Sequence, residues 1–265
     1  MKPMRFFVGL HQPSDAQHFP ASFVSVNRIR NRRGPFAVGD WIMDSGAFTE
    51  ISTYGHYRHS VEEYAEQIIR WKDNGNLLAA VAQDYMCEAF ILEKTGLTVA
   101  DHQRLTIERY DALLKCGTGV TIIPVLQGYA PEDYVSIIRQ YGERLGPNAW
   151  VGVGSICKRN GNIRAIEDVL LAIHHERPDL RLHGFGLKTT ALSSGLVQEL
   201  LHTADSMAWS FAARMVGRNG NDWKEAKRWS DKIETRAVQV PLFIPSILDT
   251  DPECTRQRPD TELRK

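Results

Sequence analysis

Trp41-Ile42-Met43-Asp44-Ser45-Gly46-Ala47-Phe48 opens on a short apolar run and breaks into an aspartate, a serine and a glycine. A run of that length reads as a buried strand, and the residues after it suit a loop at the strand's end. Ser60 follows as a helix cap, and Val61, Tyr64, Ala65, Ile68 and Ile69 recur at i, i+3, i+4, i+7 and i+8, one face of an amphipathic helix. Leu78–Ala82 is then a second apolar run, ended by Gln83-Asp84. Strand, helix, strand, with a polar residue where each strand stops, is a βαβ unit and implies parallel pairing.

The alternation extends both ways. Further strands are expected at Arg5–Leu10, Phe23–Val26, Thr121–Leu126, Trp150–Val153, Leu182–Phe185 and Ser206–Trp209. Thr98 can cap a helix carrying Ile107, Tyr110 and Leu114 on one side. Pro131 suits the first turn of another, with Tyr134, Ile138, Tyr141 and Leu145 in line. Asn162 precedes Ile163, Ile166, Leu170 and Ile173; Leu196, Val197, Leu200 and Leu201 mark a further helix; Asp222 starts one running to about Arg236. The connections over Asp15–Phe19 and Arg30–Gly39 lack a helical period. Eight strands favour a closed barrel, and 265 residues fit that fold's usual length of about 250. The expectation is therefore a single α/β domain, a compact (β/α)₈ TIM-type barrel over residues 1–240. A polar, proline-bearing tail (Pro241, Pro245, Pro252) over 241–265 wraps the surface or frays.

With 43% hydrophobic and 24% charged residues the chain has the composition of a globular domain with a sizeable core. No apolar run approaches the roughly 18 residues of a membrane span. The N-terminal apolar stretch is too short for a signal peptide, so a cytoplasmic location is expected. Thirty-two basic residues balance 32 acidic ones, so attraction to phosphate has to come from local patches. Three are visible: Arg28, Arg30, Arg32 and Arg33; Lys158 and Arg159, with Arg164 nearby; and Arg214 with Arg218. Each alone also reads as a solvated loop. The cysteines at 87, 116, 157 and 254 include no C-x-x-C pair, and His174-His175 point about 100° apart on a helix, so neither a disulfide framework nor a zinc site is expected.

Polar residues recur where strands end: Asp44-Ser45-Gly46, Gln83-Asp84, Gln127-Gly128, Gly154-Ser155, Gly186 and Asp205-Ser206. One such aspartate is commonly a helix cap and one such glycine a tight turn. Several carboxylates, a carboxamide and exposed backbone amides at one barrel mouth are instead the composition of an active site.

In order and spacing these segments resemble the tRNA-guanine transglycosylase superfamily, above all its DNA-directed, DpdA-like deazaguanine-modification branch. Asp44-Ser45-Gly46-Ala47-Phe48 is similar to the family's D-S-G-G-[FY]. Gln83-Asp84-Tyr85-Met86-Cys87-Glu88 resembles its second acidic segment, and Val125-Leu126-Gln127-Gly128 its V-Q-G. Val151–Ser155 resembles the glycine-rich turn that faces the base, and Asp205-Ser206-Met207-Ala208-Trp209 the nucleophile segment. The resemblance runs over about residues 1 to 220. It implies that Asp205 attacks C1′ of a nucleoside, that Asp44 is the general acid/base, and that no cofactor takes part. Asp84, Gln127 and the Gly154 amide would read a guanine-like edge, with Ser45, Ser155, Gly186 and Trp209 completing the substrate site, and Phe48, Met207 and Trp209 excluding water. Tyr85 or Met86 stacking on the base competes with plain core packing. The incoming base would be a 7-deazaguanine such as 7-cyano-7-deazaguanine, and Arg28, Arg30, Arg32, Arg33, Lys158, Arg159 and Arg214 would contact nucleic acid.

Two departures favour DNA over tRNA. The C-x-C-x-x-C zinc subdomain of the tRNA enzymes has no counterpart, and Trp209-Ser210-Phe211 stands where the bacterial enzymes carry P-T-R. A base in a duplex has to be flipped out at a cost of a few kcal/mol, a step that partner proteins opening the duplex could share. Exchange on tRNA, a non-catalytic nucleic-acid-binding barrel and an unrelated barrel glycosidase remain alternatives at this point. Retention of both Asp44 and Asp205 speaks against the second.

Overall fold

The computed structural model describes residues 4–159 and 161–239, so the tail expected over 241–265 lies outside the described residues. Among the described residues nine strands run β1 (Arg5–Gly9), β2 (Ala21–Ser25), β3 (Asp40–Asp44), β4 (Asn76–Val81), β5 (Ile122–Ile123), β6 (Val125–Leu126), β7 (Trp150–Val153), β8 (Arg181–Gly184) and β9 (Leu201–Ser206). All pair in parallel, in the order β5-β4-β3-β2-β1-β9-β8-β7-β6. β5 and β6 are halves of the one expected strand, parted by Pro124, which has no N–H for the ladder. The first half pairs with β4, whose Ala80 and Ala82 N–H groups donate to the Thr121 and Ile123 carbonyls at 2.9 and 3.0 Å. The second pairs with β7, whose Gly152 and Gly154 N–H groups donate to the Pro124 and Leu126 carbonyls at 2.8 and 2.9 Å. Taken as one strand they join the two edges, and the sheet becomes an eight-stranded TIM-type barrel.

The helices are α1 (Val26–Ile29), α2 (Ala47–Tyr54), α3 (Val61–Trp71), α4 (Ala89–Thr95), α5 (Val99–Lys115), α6 (Pro131–Tyr141), α7 (Ile163–Glu176), α8 (Thr189–Leu192), α9 (Gly195–Leu200), α10 (Ala208–Met215) and α11 (Trp223–Gln239). The expected caps are in place. Ser60 and Glu63 form a reciprocal capping box on α3, Thr98 and Asp101 another on α5, and Asn162 accepts from the Ala165 N–H. Of the two connections without a helical period, the first holds a 3₁₀ turn (Pro13–His18), and the second, Arg30–Gly39, holds no helix and follows the four-residue α1.

Parallel strands are covered on both faces, and the apolar residues divide accordingly. Phe7, Phe23, Ile42, Ala79, Val81, Ile123 and Val125 fill the lumen. Val8, Val24, Trp41, Met43 and Ala80 point outward under the helices. Two residues assigned to inward helix faces point outward instead: Ile69 and Leu114 are exposed, while Trp71 and Leu113 take the buried positions.

The last strand is displaced from its expected place. It spans Leu201–Ser206 rather than Ser206–Trp209, because Leu201 starts the strand instead of ending the helix before it. The register confirms this: Phe6, Phe7 and Val8 of β1 lie against Ala204, Asp205 and Ser206. Ser206 then accepts from the Ala208 N–H at 3.0 Å and turns the chain into α10, which contains Trp209.

Candidate active site

The C-terminal ends of the strands surround a cavity of about 370 Å³. Asp44, Asp84, Gln127, Gly154, Ser155, Gly186 and Asp205 all line it, with Phe48, Met86, Glu88, Cys157, Lys158, Phe185 and Met207. A larger hollow, about 540 Å³, lies at the opposite end of the barrel. Its arginines are already engaged: Arg5 with Asp40, Arg144 with both oxygens of Asp111, and Arg181 with the Asn148 carbonyl. The carboxylates are at the mouth, but the Gly154 N–H expected to meet a base is taken by the Leu126 carbonyl in the strand ladder.

Asp205 sits near the end of β9 and is 5% exposed. Its Oδ1 accepts from the Gly186 N–H at 3.1 Å and lies 3.3 Å from Nε2 of His183 on β8. The partners of His183 fix its tautomer. Trp150 Nε1–H donates to Thr203 Oγ1 at 2.8 Å, and that hydroxyl lies 2.9 Å from His183 Nδ1. The Asp205 oxygen accepts in this contact, so the ring nitrogen facing it, Nε2, carries a proton, and the Thr203 hydroxyl, whose oxygen accepts from Trp150, can give its own proton to Nδ1. The imidazole is fully buried, stacked on Phe23 at 5.5 Å and edge-on to Phe185 at 4.8 Å. The sequence reading passed over His183. Its signal was there, a polar residue at an inward position of an apolar strand, the residue before Gly184.

Asp44 ends β3. Burial pushes its carboxyl up to about 6, opposed by a hydrogen bond from Ser25 and reinforced by the charge of Asp205. The Gly46 N–H donates to its Oδ2 at 3.1 Å. Gly46 has φ 77°, and a Cβ there would meet the Asn27 side chain at 2.4 Å, so glycine is required to turn the chain back toward the carboxylate.

Opposite lies a line of hydrogen-bonded side chains. Gln127 Nε2 donates to Asp84 Oδ2, and Ser155 Oγ lies 2.8 Å from Gln127 Oε1 and 3.1 Å from Glu88 Oε2. Burial, with the charges of Asp44 and Glu88, raises the Asp84 carboxyl to about 7 against the pull of the Gln127 bond. Glu88 is 3% exposed and also raised, mainly by burial, and its Oε1 has no hydrogen-bond partner among the described residues. A buried acceptor left open on a cavity wall is available to a ligand. A Cβ at Gly154 would push the Gln127 carboxamide from its place between Asp84 and Ser155.

The loops carrying these groups are tied down from behind. Buried Tyr57, Tyr64, Tyr134 and Tyr141 donate their hydroxyls to the carbonyls of Asp84, Val81, Gly154 and Val125 at 2.7, 2.8, 2.7 and 3.2 Å. α5 presents a polar inner face: His102 bonds the Met86 carbonyl, Gln103 the Gln127 carbonyl, and Thr106 accepts from the Tyr85 N–H. Tyr85 packs among Tyr57 and His102, whereas Met86 reaches the cavity.

Other expected site residues lie elsewhere. Trp209 does not line the cavity; it is buried in the outer core with Val8 and Val24, donating its indole N–H to the Gly9 carbonyl at 2.8 Å. Ser45 is buried and is not among the lining residues. The four-arginine segment is divided. Arg28 is exposed beside His11 at the mouth, while Arg30 is half-buried near Glu63 and Glu50. Arg70, in the last turn of α3, donates to the Arg30 and Arg32 carbonyls, so the chain there descends the outer wall away from the mouth. Arg32 is spent on the carbonyls of Gly34 and Pro35, and exposed Arg33 follows it. Arg214 on α10 reaches Ser210 Oγ, which His11 also bonds.

The raised Asp84 carboxyl carries a measurable consequence. Its folded pKa exceeds the ordinary unfolded value, so its contribution to stability is fully present below about pH 4 and is lost as pH rises through about 7. Asp84→Asn, which cannot ionise, is expected to flatten stability between pH 4 and 8 by on the order of a few kcal/mol relative to wild type. Thermal melts across that range check it, and an unchanged slope would contradict the burial of an ionisable Asp84.

No helix among the described residues is long and apolar enough to cross a membrane. A family model, DpdA or DeoxyPurine in DNA protein A, matches residues 1–259. No curated protein matches the chain.

Proposed function

The chain belongs to the DpdA family, and from that membership and the geometry of the mouth we propose that it exchanges guanine in DNA for a 7-deazaguanine base. Asp205 attacks C1′ of the target nucleotide, the C1′–N9 bond breaks, and a covalent aspartyl–glycosyl ester holds the sugar while bases change places. Asp44 gives a proton to the departing guanine and takes one from N9 of the incoming base, which then attacks C1′ and releases Asp205. The observation that carries this reading is the shared cavity. A nucleophile held by two donors, His183 and the Gly186 N–H, lies close enough to Asp44 for the charges to couple, and burial tunes Asp44 to about 6. A group that protonates and deprotonates within one cycle works best with a pKa near the ambient pH.

The base is read on the opposite wall. Asp84 accepts from N1–H and the exocyclic amine, Gln127 faces the same edge, and the Gly154–Ser155 turn faces O6, while Glu88 Oε1 offers one further acceptor. A wrong base leaves such buried groups unpaired at about 1–3 kcal/mol each. Water would hydrolyse the ester, and Phe48, Phe185 and Met207 are the apolar groups around it.

The test is incorporation of labelled guanine and labelled 7-deazaguanines into DNA and into tRNA at one salt concentration. Incorporation into DNA is expected. Incorporation into tRNA alone would move the substrate to RNA, and none in either polymer would leave a binding barrel.

A further inference from the structure

On one side of the mouth stand exposed Phe48 at the start of α2, Phe90 at the start of α4 and Tyr129 in the loop after β6, at 47, 46 and 53%. Single exposed apolar residues are ordinary on a protein surface. These three follow neighbouring strands at one end of the barrel, and each has a cation against its face. Lys158 Nζ lies 4.8 Å from the Phe48 ring and 5.7 Å from the Phe90 ring, and the Arg159 guanidinium lies 4.5 Å from the Tyr129 ring. Phe48 and Lys158 also line the cavity, so this rim is continuous with the site. On the other side of the mouth, beyond Asp205, stand exposed Arg28 and Arg214, both near His11, with exposed Phe211 beside Arg214's partner Ser210.

We propose that this rim is a track for single-stranded DNA, in which unpaired bases next to the target stack on Phe90 and Tyr129 while cations on both sides of the mouth hold the backbone. The inference rests on the DNA reading above and adds the form in which the DNA arrives. Aromatic faces distinguish that form. Within a duplex each base face is covered by its neighbours, so an exposed ring on a protein meets only sugar and phosphate. In a single strand every base offers a face, and a ring with a cation beside it serves both base and phosphate. The chain carries no net charge, so the pull on phosphate belongs to such local groups. The cavity asks for the same substrate: Asp205 and Asp84 are 5 and 6% exposed within it, so only a nucleotide turned wholly out of a helix reaches them.

The experiment is fluorescence anisotropy with one labelled guanine-containing oligonucleotide, offered as single-stranded DNA, as duplex with its complement, and as RNA of the same sequence. Wild type is expected to bind the single-stranded DNA at least roughly tenfold more tightly than the duplex. Phe90→Ala and Tyr129→Ala should each weaken single-strand binding by roughly 5- to 150-fold while leaving duplex binding within twofold, and Phe90→Trp should restore it. Both positions are exposed, and thermal melts will show the variants folded. Duplex bound as tightly as the single strand, or alanine variants within twofold of wild type on single-stranded DNA, overturns the track. Tighter binding of the RNA overturns its assignment to DNA. A parallel label-incorporation assay on the same single strand separates the two readings: intact discrimination without incorporation refutes base exchange alone, and incorporation without discrimination refutes the track alone.

Discussion

Asp205→Asn is expected to fold as wild type and to lose base exchange by on the order of 10³-fold or more, with no covalent adduct to labelled DNA under denaturing conditions. The substitution keeps the volume and one acceptor oxygen, so the contacts with the Gly186 N–H and His183 can persist. What it removes is the charged oxygen that can form an ester with C1′. Asp205→Ala should fail to the same degree in turnover. Asp44→Asn serves as the contrast: it should slow proton transfer while leaving an adduct that can be trapped. Denaturing gels with labelled DNA decide between these outcomes. Turnover within tenfold of wild type in either Asp205 variant would remove that residue from the nucleophile's role.

The second large effect belongs to His183. Its Nε2–H is a side-chain donor to Asp205, and the hydrogen bonds from Trp150 through Thr203 hold the ring in that orientation. His183→Leu keeps an apolar body among Phe7, Phe23 and Phe185 but leaves Oδ1 with the Gly186 amide alone. A loss of roughly 100-fold in kcat with KM for the incoming base changed little is expected, since the residues proposed to read the base lie on the far wall. His183→Gln, whose amide can still donate to Asp205, should recover much of that loss. A merely structural role predicts something different: both variants would fall together, in proportion to their melting temperatures. If His183→Leu keeps its kcat, the histidine is packing and nothing more.

How far the sequence revealed this arrangement depended on the signal. The βαβ unit from Trp41 to Asp84 was legible because strand and helix periods differ and because Ser60 and Thr98 carry cap chemistry. The polar strand ends were legible because a carboxylate or carboxamide ending an apolar run is conspicuous, and the cavity does bring Asp44, Asp84, Gln127, Gly154, Ser155, Gly186 and Asp205 together. The end of α9 was not legible: Leu200 and Leu201 suit a buried helix and a buried strand equally, and only the pairing of β9 with β1 and β8 decides between them. Trp209 was misplaced for the same reason, since carrying the strand on to it aimed its ring at the mouth. The division of the arginine segment was hidden because charge clustering along the chain says nothing of which guanidinium groups will be spent on nearby carbonyls. The polar face of α5 was also missed. His102, Gln103 and Thr106 look like solvent-facing residues until the loops they hold are seen.

Ser155 has φ 55°, a backbone conformation that costs any residue with a Cβ on the order of 1 kcal/mol and glycine almost nothing. Its hydroxyl also joins the two halves of the wall proposed to read the base, Gln127 on one side and Glu88 on the other. At this position, foldability and recognition therefore favour different residues. A lineage under selection for robustness alone would drift toward glycine here, gaining stability and losing discrimination between bases. A lineage that must choose among closely similar bases keeps the strained serine and relies on the buried tyrosines and the inner face of α5 to hold it. On the proposed function, relaxing either the wall or its scaffolding would alter which base is chosen before it altered whether the chain folds.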